Sequence, residues 1–208
     1  MISNLPAFVG VAAVVIVSPG PDTALTIRNT LRGGRRSGVL TSVGVVSGQT
    51  VWAVATAAGV AALLHASQPA FLALKIVGAG YLVFLGAQAL VAAFRGGEPA
   101  LYGAEGPRIR PRRAFRQGLI SNVTNPKMAA FFTSLLPPFA GGSHATFAPL
   151  LLLALIFGAM TLVWLVAYVF VVAKAGDVFR RERIRRALEG LTGVALVALG
   201  LKLATEKR

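Results

Sequence analysis

Two short motifs place a charged residue directly after a proline within apolar sequence. They are Gly20-Pro21-Asp22 and Asn125-Pro126-Lys127. A charge near the centre of a bilayer costs about 2.5 to 3.5 kcal/mol or more, so such residues usually pair and mark a substrate path. Asp22 could hold an ammonium group, and Lys127 with the free N–H groups of a half-helix could hold a carboxylate. The two motifs together predict a binding site for a zwitterion.

Each charge also has a plainer interpretation. Asp22 could serve merely as a helix cap near the cytoplasmic edge of the membrane. The segment from Leu5 to Pro21 would make roughly 25 Å of helix, which is almost a full crossing. Lys127 could form an ion pair with Asp22 that only fixes helix packing. Both alternatives stay open at the level of the sequence.

The prolines predict that two helices are interrupted. Proline lacks the backbone donor and clashes with the preceding turn, so Pro19 and Pro21, with Gly20 between them, should open the first helix. In the second motif, Asn125 is a suitable N-cap and Pro126 suits the first helical position. Further polar residues of the second break are Ser121, Asn122 and Thr124. Freed backbone groups in hydrocarbon must find partners or line a wet cavity.

The composition indicates a membrane protein that crosses the bilayer several times. The 208 residues are 55% hydrophobic and 13% charged, with a mean hydropathy of +0.71; soluble domains are about 25% charged. Residues 37–74 and 128–173 contain no Asp, Glu, Lys or Arg. A span needs roughly 20 apolar residues. The N-terminus lacks the basic start of a signal peptide.

The net charge of +14 follows the positive-inside rule. Sixteen of the 21 basic residues lie in three clusters, at 28–36, 95–116 and 174–186, each between apolar runs. Such clusters mark cytoplasmic loops, so we expect lipid and not nucleic acid as the partner of these charges.

Six apolar segments predict six transmembrane helices. They span about 5–31, 39–64, 70–94, 115–139, 147–173 and 187–205. The basic clusters follow segments one, three and five, which places both termini outside the cytoplasm. A five-span form with a C-terminal helix lying on the surface is the alternative, because Lys202, Lys207 and Arg208 would otherwise lie on the wrong side.

The two halves of the chain resemble each other. Residues 81–90 align with 195–204 at an offset of 114, Trp52 aligns with Trp164 at 112, and Pro21 with Pro126 at 105. Three spans per half is an odd number, so the second half must be inverted, as in many secondary transporters. The predicted fold is therefore all-α: one domain over 1–208, with repeat 1 at about 1–94, a cytoplasmic loop at 95–114 and repeat 2 at about 115–208.

A few isolated residues have two possible roles. Gln49 is a candidate cavity contact in the second span. Lys75 matches Glu189 at the offset of 114 with opposite charge, and either both are functional or both snorkel to the interface. Gly44 and Gly48 form a GxxxG pair, which favours close helix packing or a homodimer face. His65 and His144 have no neighbouring carboxylates, and cysteine is absent, so no metal site is expected.

Three regions resemble the lysine exporter and homoserine/threonine resistance family (LysE/RhtB). They are SPGPDTALTIRNTLRGGRRSG, LKIVGAGYLVFLGAQAL and FRQGLISNVTNPKMAAFFTSLLPPF. The resemblance covers nearly the whole chain and implies an inner-membrane amino acid exporter with six spans, driven by the proton gradient. It marks as family positions Pro19, Gly20, Pro21, Asp22, Lys75, Gly86, Asn125, Pro126 and Lys127. Distant relatives transport divalent metals. Hard cations require several oxygen ligands, and this chain has too few acidic residues in its apolar segments to supply them, so metal export is not expected.

The resulting hypothesis is a secondary exporter of small, neutral amino acids that works by proton antiport and needs no cofactor. The candidate binding or coupling residues are Asp22, Lys127, Asn125, Gly20, Pro21, Pro126, Asn122, Gln49 and Lys75. The scarcity of further acidic residues in the spans favours neutral over basic substrates. The alternatives are an exporter of another small solute and a membrane scaffold that transports nothing. An enzyme is not expected, because no paired carboxylates or Ser/His/Asp grouping occurs.

Overall fold

The computed structural model describes most of both halves of the chain. Continuous stretches cover residues 5–18, 20–66, 108–141 and 146–179, and single residues are described between 73 and 94 and between 187 and 204. The helices are α1 (Leu5–Val17), α2 (Pro21–Ala66), α3 (Pro111–Val123), α4 (Pro126–Ala130), a π-helical turn (Phe131–Leu135), α5 (Leu136–Phe139) and α6 (Phe147–Phe179). All regular structure in these residues is helical, as the sequence predicted.

By length and composition, two stretches of described helix are apolar enough to cross a membrane. They cover Pro21–Gly59, which includes the non-helical Gly34, and Phe147–Lys174; α1 is a shorter apolar helix. The predicted third and sixth segments are described only at single positions, and those positions are helical. In these segments, a Cβ atom at Gly200 would lie 2.8 Å from the carbonyl oxygen of Ala79 and 2.7 Å from a methyl group of Val83. The two segments are therefore in direct contact.

Helix α2 is a hairpin with a single non-helical residue at its tip. Gly34 has φ 71° and ψ −176°, a conformation that glycine adopts without a steric cost. The amide of Asn29 donates to the hydroxyl of Thr41 at 3.0 Å, although twelve residues of straight helix would separate them by about 18 Å. The two arms, 21–33 and 35–66, are therefore antiparallel. The sequence predicted a loop of several residues here, and the single residue Gly34 takes its place.

The second arm of α2 packs closely on α3 through glycines from both helices. A Cβ atom at Gly44 would collide with the carbonyl oxygen of Phe115, and one at Gly118 would collide with the carbonyl oxygen of Thr41. At Gly48 an added Cβ would lie 2.8 Å from the Cβ of Asn122. The GxxxG pair is thus used for packing within the chain, and a homodimer would have to use another surface.

Aromatic side chains join α1, the π-helical turn and α6. Phe131 stacks on Phe157 with ring centroids 4.1 Å apart, and Phe132 meets the same ring edge-on at 5.8 Å. Phe8 of α1 is fully buried in this cluster. The opposite face of α6 is apolar and exposed, with Val163 at 72%, as expected for a surface that lies against lipid.

Candidate functional site

The carboxylate of Asp22 lies at the first helix break and is held from the other half of the chain. Helix α1 ends at Val17 and α2 begins at Pro21, which places Asp22 in the first turn of α2. Its Oδ1 accepts a hydrogen bond from Ser121 Oγ at 2.7 Å. Its Oδ2 accepts from the side-chain amides of Asn122 at 2.8 Å and Asn125 at 2.9 Å. The carboxylate is buried, so these neutral donors replace its hydration.

The second break lies between α3, which ends at Val123, and α4, which begins at Pro126. Asn125 is the N-cap of α4, and its Oδ1 accepts from the backbone N–H of Lys127 at 3.0 Å. The predicted roles of Asn125 and Pro126 are both confirmed. Because the amide nitrogen of Asn125 donates to Asp22 at the same time, one side chain both starts the half-helix and holds the carboxylate.

The ammonium group of Lys127 reaches back to the first break. Its Nζ donates to the carbonyl oxygens of Ser18 at 2.9 Å and Val15 at 3.1 Å. These carbonyls lie at the end of α1, where the last turn of a helix leaves acceptors unused and carries the negative end of the helix dipole. A Cβ at Gly20 would lie 3.2 Å from Nζ, so the glycine leaves room for the ammonium group.

The two buried charges do not pair with each other in the described structure. Every hydrogen bond recorded for the side chains of Asp22 and Lys127 goes to a neutral group of the opposite break. In this conformation the two charges make no direct hydrogen bond with each other, and the carboxylate of Asp22 accepts from α3 and the second break and not from its own helix. The roles of Asp22 and Lys127 in transport stay predictions.

Gln49 and Trp52 extend the site on the second arm of α2. Gln49 is buried and donates through Nε2 to Thr161 Oγ1 at 3.1 Å, with Met128 Sδ at 3.9 Å. Its Oε1 is buried without a partner among the described residues. Trp52 Nε1 donates to the backbone carbonyl of Asn122 at 3.2 Å. The sequence predicted Gln49 as a cavity contact. It did not identify Trp52 or Thr161 as site residues, although Trp52 was one of the positions that align between the two halves.

A second buried polar cluster lies between Asp22 and the tip of the α2 hairpin. Asn29 is fully buried, and its amide donates to Thr41 and, at 3.1 Å, to Gln117 Oε1. Sequence analysis missed this cluster. The available signal was the spacing of Asp22, Thr26 and Asn29, which places three polar side chains on one helix face.

The remaining predicted site residues have the following places. Pro21 and Pro126 are the first residues of α2 and α4, and Asn122 is fully buried with its Oδ1 lacking a partner in the described structure. Lys75, Glu189 and Pro19 lie outside the described residues. In the part of the chain that is described, no group of three or more His, Asp or Glu residues could hold a metal ion.

Comparison with known proteins finds membrane proteins that are similar over nearly the whole chain. Residues 13–207 match the LysE type translocator family. An uncharacterized membrane protein of Pseudomonas aeruginosa is 31% identical, over 92% of this chain and 90% of that protein. One from Bacillus subtilis is 28% identical, over 96% and 97%. A threonine efflux protein of Salmonella typhi is 27% identical, over 91% and 92%. No solved structure gives a significant match.

Proposed function

This chain belongs to the LysE-type translocators, a family of membrane transporters and not of enzymes, and we propose that it exports small, neutral amino acids from the cytoplasm. The observation that carries the proposal is the crossed arrangement of the two breaks. A buried carboxylate and a buried ammonium group are each held by neutral groups of the opposite half of the chain.

Among the described residues, each charge has one hydrogen-bonding position without a partner, where a ligand could bind. A carboxylate offers about four acceptor positions, and the structure gives three donors to Asp22. An ammonium group has three donors, of which Lys127 uses two. A zwitterion supplies the matching groups, since its ammonium can bind Asp22 and its carboxylate can bind Lys127. An α-amino acid carries both groups on one carbon.

The charges around the site favour a substrate with a neutral side chain. Asp22 is the only acidic residue whose side chain the structure describes. A lysine or arginine substrate would bring a second positive charge, and the described part of the site has no second carboxylate for it. The relative from Salmonella typhi that is named a threonine efflux protein is consistent with a small neutral substrate.

We further propose that the fold consists of two inverted three-helix repeats that form six spans in one domain. Gln49 and Thr161 correspond at the same offset of 112 as Trp52 and Trp164, and Gln49 donates to Thr161. Residues that correspond to each other meet in this way at a two-fold axis between repeats. The contact of Gly200 with Ala79 and Val83 joins the third and sixth segments, which are the last segments of the two proposed repeats.

The helix breaks would then lie inside the inner membrane. Helix α1 has 13 residues, about 20 Å, whereas the hydrocarbon core is about 30 Å thick. The arginines beside Gly34 support a cytoplasmic location for the tip of the α2 hairpin, and both termini would then lie outside. Transport would proceed by rocking of the two repeats around the site, with Asp22 exchanging the substrate's ammonium group for a proton. Lys75 remains a predicted coupling residue.

An efflux panel tests this function. Cells without their own exporters would express the chain, be loaded with amino acids by dipeptide feeding, and be followed for each amino acid in the medium. We expect selective efflux of small neutral amino acids. The variant Asp22→Asn should lose at least about 100-fold in rate, because the ammonium group loses its counter-charge. The variant Asp177→Asn makes the same chemical change in the third basic cluster and should export normally.

The outcomes separate the competing functions. Normal export by a correctly inserted Asp22→Asn protein would exclude the proposed role of Asp22. Efflux of a non-amino-acid solute alone would indicate an exporter of another class. If the protein transports no solute and the cell tolerates both variants, the result would favour a membrane scaffold that transports nothing.

A further inference from the structure

A basic pocket lies along the first part of α3, from Arg110 to Ile120. A pocket of about 630 Å³ is lined by four arginines, one amide and one apolar residue. They are Arg110, Arg112, Arg113, Arg116, Gln117 and Ile120. We propose that this pocket binds the phosphate of an anionic phospholipid from the cytoplasmic leaflet. The proposal does not depend on the transported substrate.

The electrostatics of the pocket lack a negative partner in the described structure. Arg112 and Arg113 lie in the first turn of α3, which has no acidic residue and no side-chain cap. The first turn carries the positive end of the helix dipole, where cations are unfavourable. Arg112 and Arg116 also follow each other at i and i+4, where like charges repel. None of the pocket's lining residues is a carboxylate. A bound anion would relieve all three effects.

The donors suit a phosphate. All four arginine side chains are exposed, and guanidinium groups bind phosphate oxygens with two parallel hydrogen bonds. The Oε1 of Gln117 already accepts from Asn29 at 3.1 Å, which leaves its NH₂ group as the end free to donate. The pocket volume is within the range of sites for small molecules.

The apolar end of the pocket favours a lipid over a free anion. Ile120 lies one turn beyond Arg116 along α3 and is 57% exposed. The next turn exposes Val123, at 37%. The pocket therefore passes from charge to an apolar helix face in the direction of the predicted membrane core. A phospholipid has the same order of groups, with a phosphate followed by acyl chains, and basic pockets at the cytoplasmic surface are known to take anionic headgroups.

Native mass spectrometry of the purified full-length protein tests this site. The probes are dioleoyl phosphatidylglycerol, dioleoyl phosphatidylcholine and inorganic phosphate. We expect phosphatidylglycerol to be retained in preference to phosphatidylcholine. The triple variant Arg112→Gln/Arg113→Gln/Arg116→Gln should weaken its binding by about tenfold or more. The control Arg180→Gln/Arg181→Gln/Arg183→Gln removes the same charge from another basic segment and should bind as the native chain does.

A second variant separates a lipid from a free anion. Ile120→Gln keeps all four arginines, so it should weaken phosphatidylglycerol binding but leave any binding of inorganic phosphate unchanged. Several results would overturn the proposal: equal loss in the two triple variants, equal retention of both lipids, or displacement of phosphatidylglycerol by millimolar phosphate or by a free amino acid. Transport is not measured, so failure here leaves the proposed export function untouched.

Discussion

The first helix break offers a carboxylate and backbone carbonyls, whereas the second offers side-chain amides, a hydroxyl and an ammonium group. Each set is complementary to the other. Asp22 takes its three donors from the second break, and Lys127 takes its two acceptors from the end of α1. The difference shows how one proline-containing break in each half can build opposite halves of one site.

The two tryptophans that correspond between the halves show a second difference. Trp52 Nε1 donates to the carbonyl of Asn122, the second-last residue of α3 before the second break. Trp164 Nε1 is buried and has no partner in the described structure. At the offset of 105 that relates the two breaks, Asn122 corresponds to Val17, the last residue of α1. The two corresponding indole N–H groups therefore lie in different environments in the described structure.

The largest effect on this complementarity is expected when the positive charge of Lys127 at the second helix break is removed. Lys127→Gln is expected to raise the KM for export by about tenfold or more, because the substrate carboxylate loses its cation. The shorter side chain also leaves the carbonyls of Val15 and Ser18 without their donor. Lys174→Gln makes the same change at an exposed position of α6 and should leave the KM unchanged. Equal KM values for both variants would contradict the role of Lys127.

Asn125 allows its two roles to be separated. Asn125→Asp and Asn125→Ser both keep an N-cap acceptor, but Asp places a second carboxylate where the amide of Asn125 now donates to Asp22 at 2.9 Å. Like charges at this distance disfavour ionisation of both groups. We expect the export rate to fall about tenfold in Asn125→Asp and at most about threefold in Asn125→Ser. Equal activity of Asn125→Asp and Asn125→Ser would contradict the expected repulsion between Asp22 and a second carboxylate at this position.

The smallest effect concerns the tryptophans. Trp52→Phe and Trp164→Phe remove the same atoms, but only the first removes a hydrogen bond. Trp52→Phe should therefore be less stable than Trp164→Phe by about 1 kcal/mol. Thermal unfolding in detergent should show this as a Tm lower by about 2 to 4 °C. A larger loss for Trp164→Phe would mean that its N–H is partnered in the dominant conformation.

Local sequence signals allowed the helix breaks to be predicted. The hydrogen-bond partners of Asp22 were missed because they depend on long-range contacts. Pro21, Asn125 and Pro126 act through their own backbone, so their types were sufficient to place the helix ends. The partners of Asp22 lie about 100 residues away along the chain, and no local pattern pairs them.

The α2 hairpin shows the same limit. The sequence around Gly34 signals a turn, but its length depends on how closely the two arms pack. That packing is set by contacts such as Asn29 with Thr41, which bring residues from opposite arms together. The segment was therefore predicted as a basic loop.

The crossed hydrogen bonds have an electrical consequence. With Asp22 ionised and Lys127 protonated, the formal charges of the empty site sum to zero, and a bound zwitterion leaves that sum unchanged. Moving one uncompensated elementary charge through 100 mV is worth about 2.3 kcal/mol, so the proposed export step would proceed without opposition from the membrane potential. In the proposed antiport, a proton on Asp22 in place of the substrate would leave the single positive charge of Lys127. An inside-negative potential would then drive the return of this proton-loaded site toward the cytoplasm.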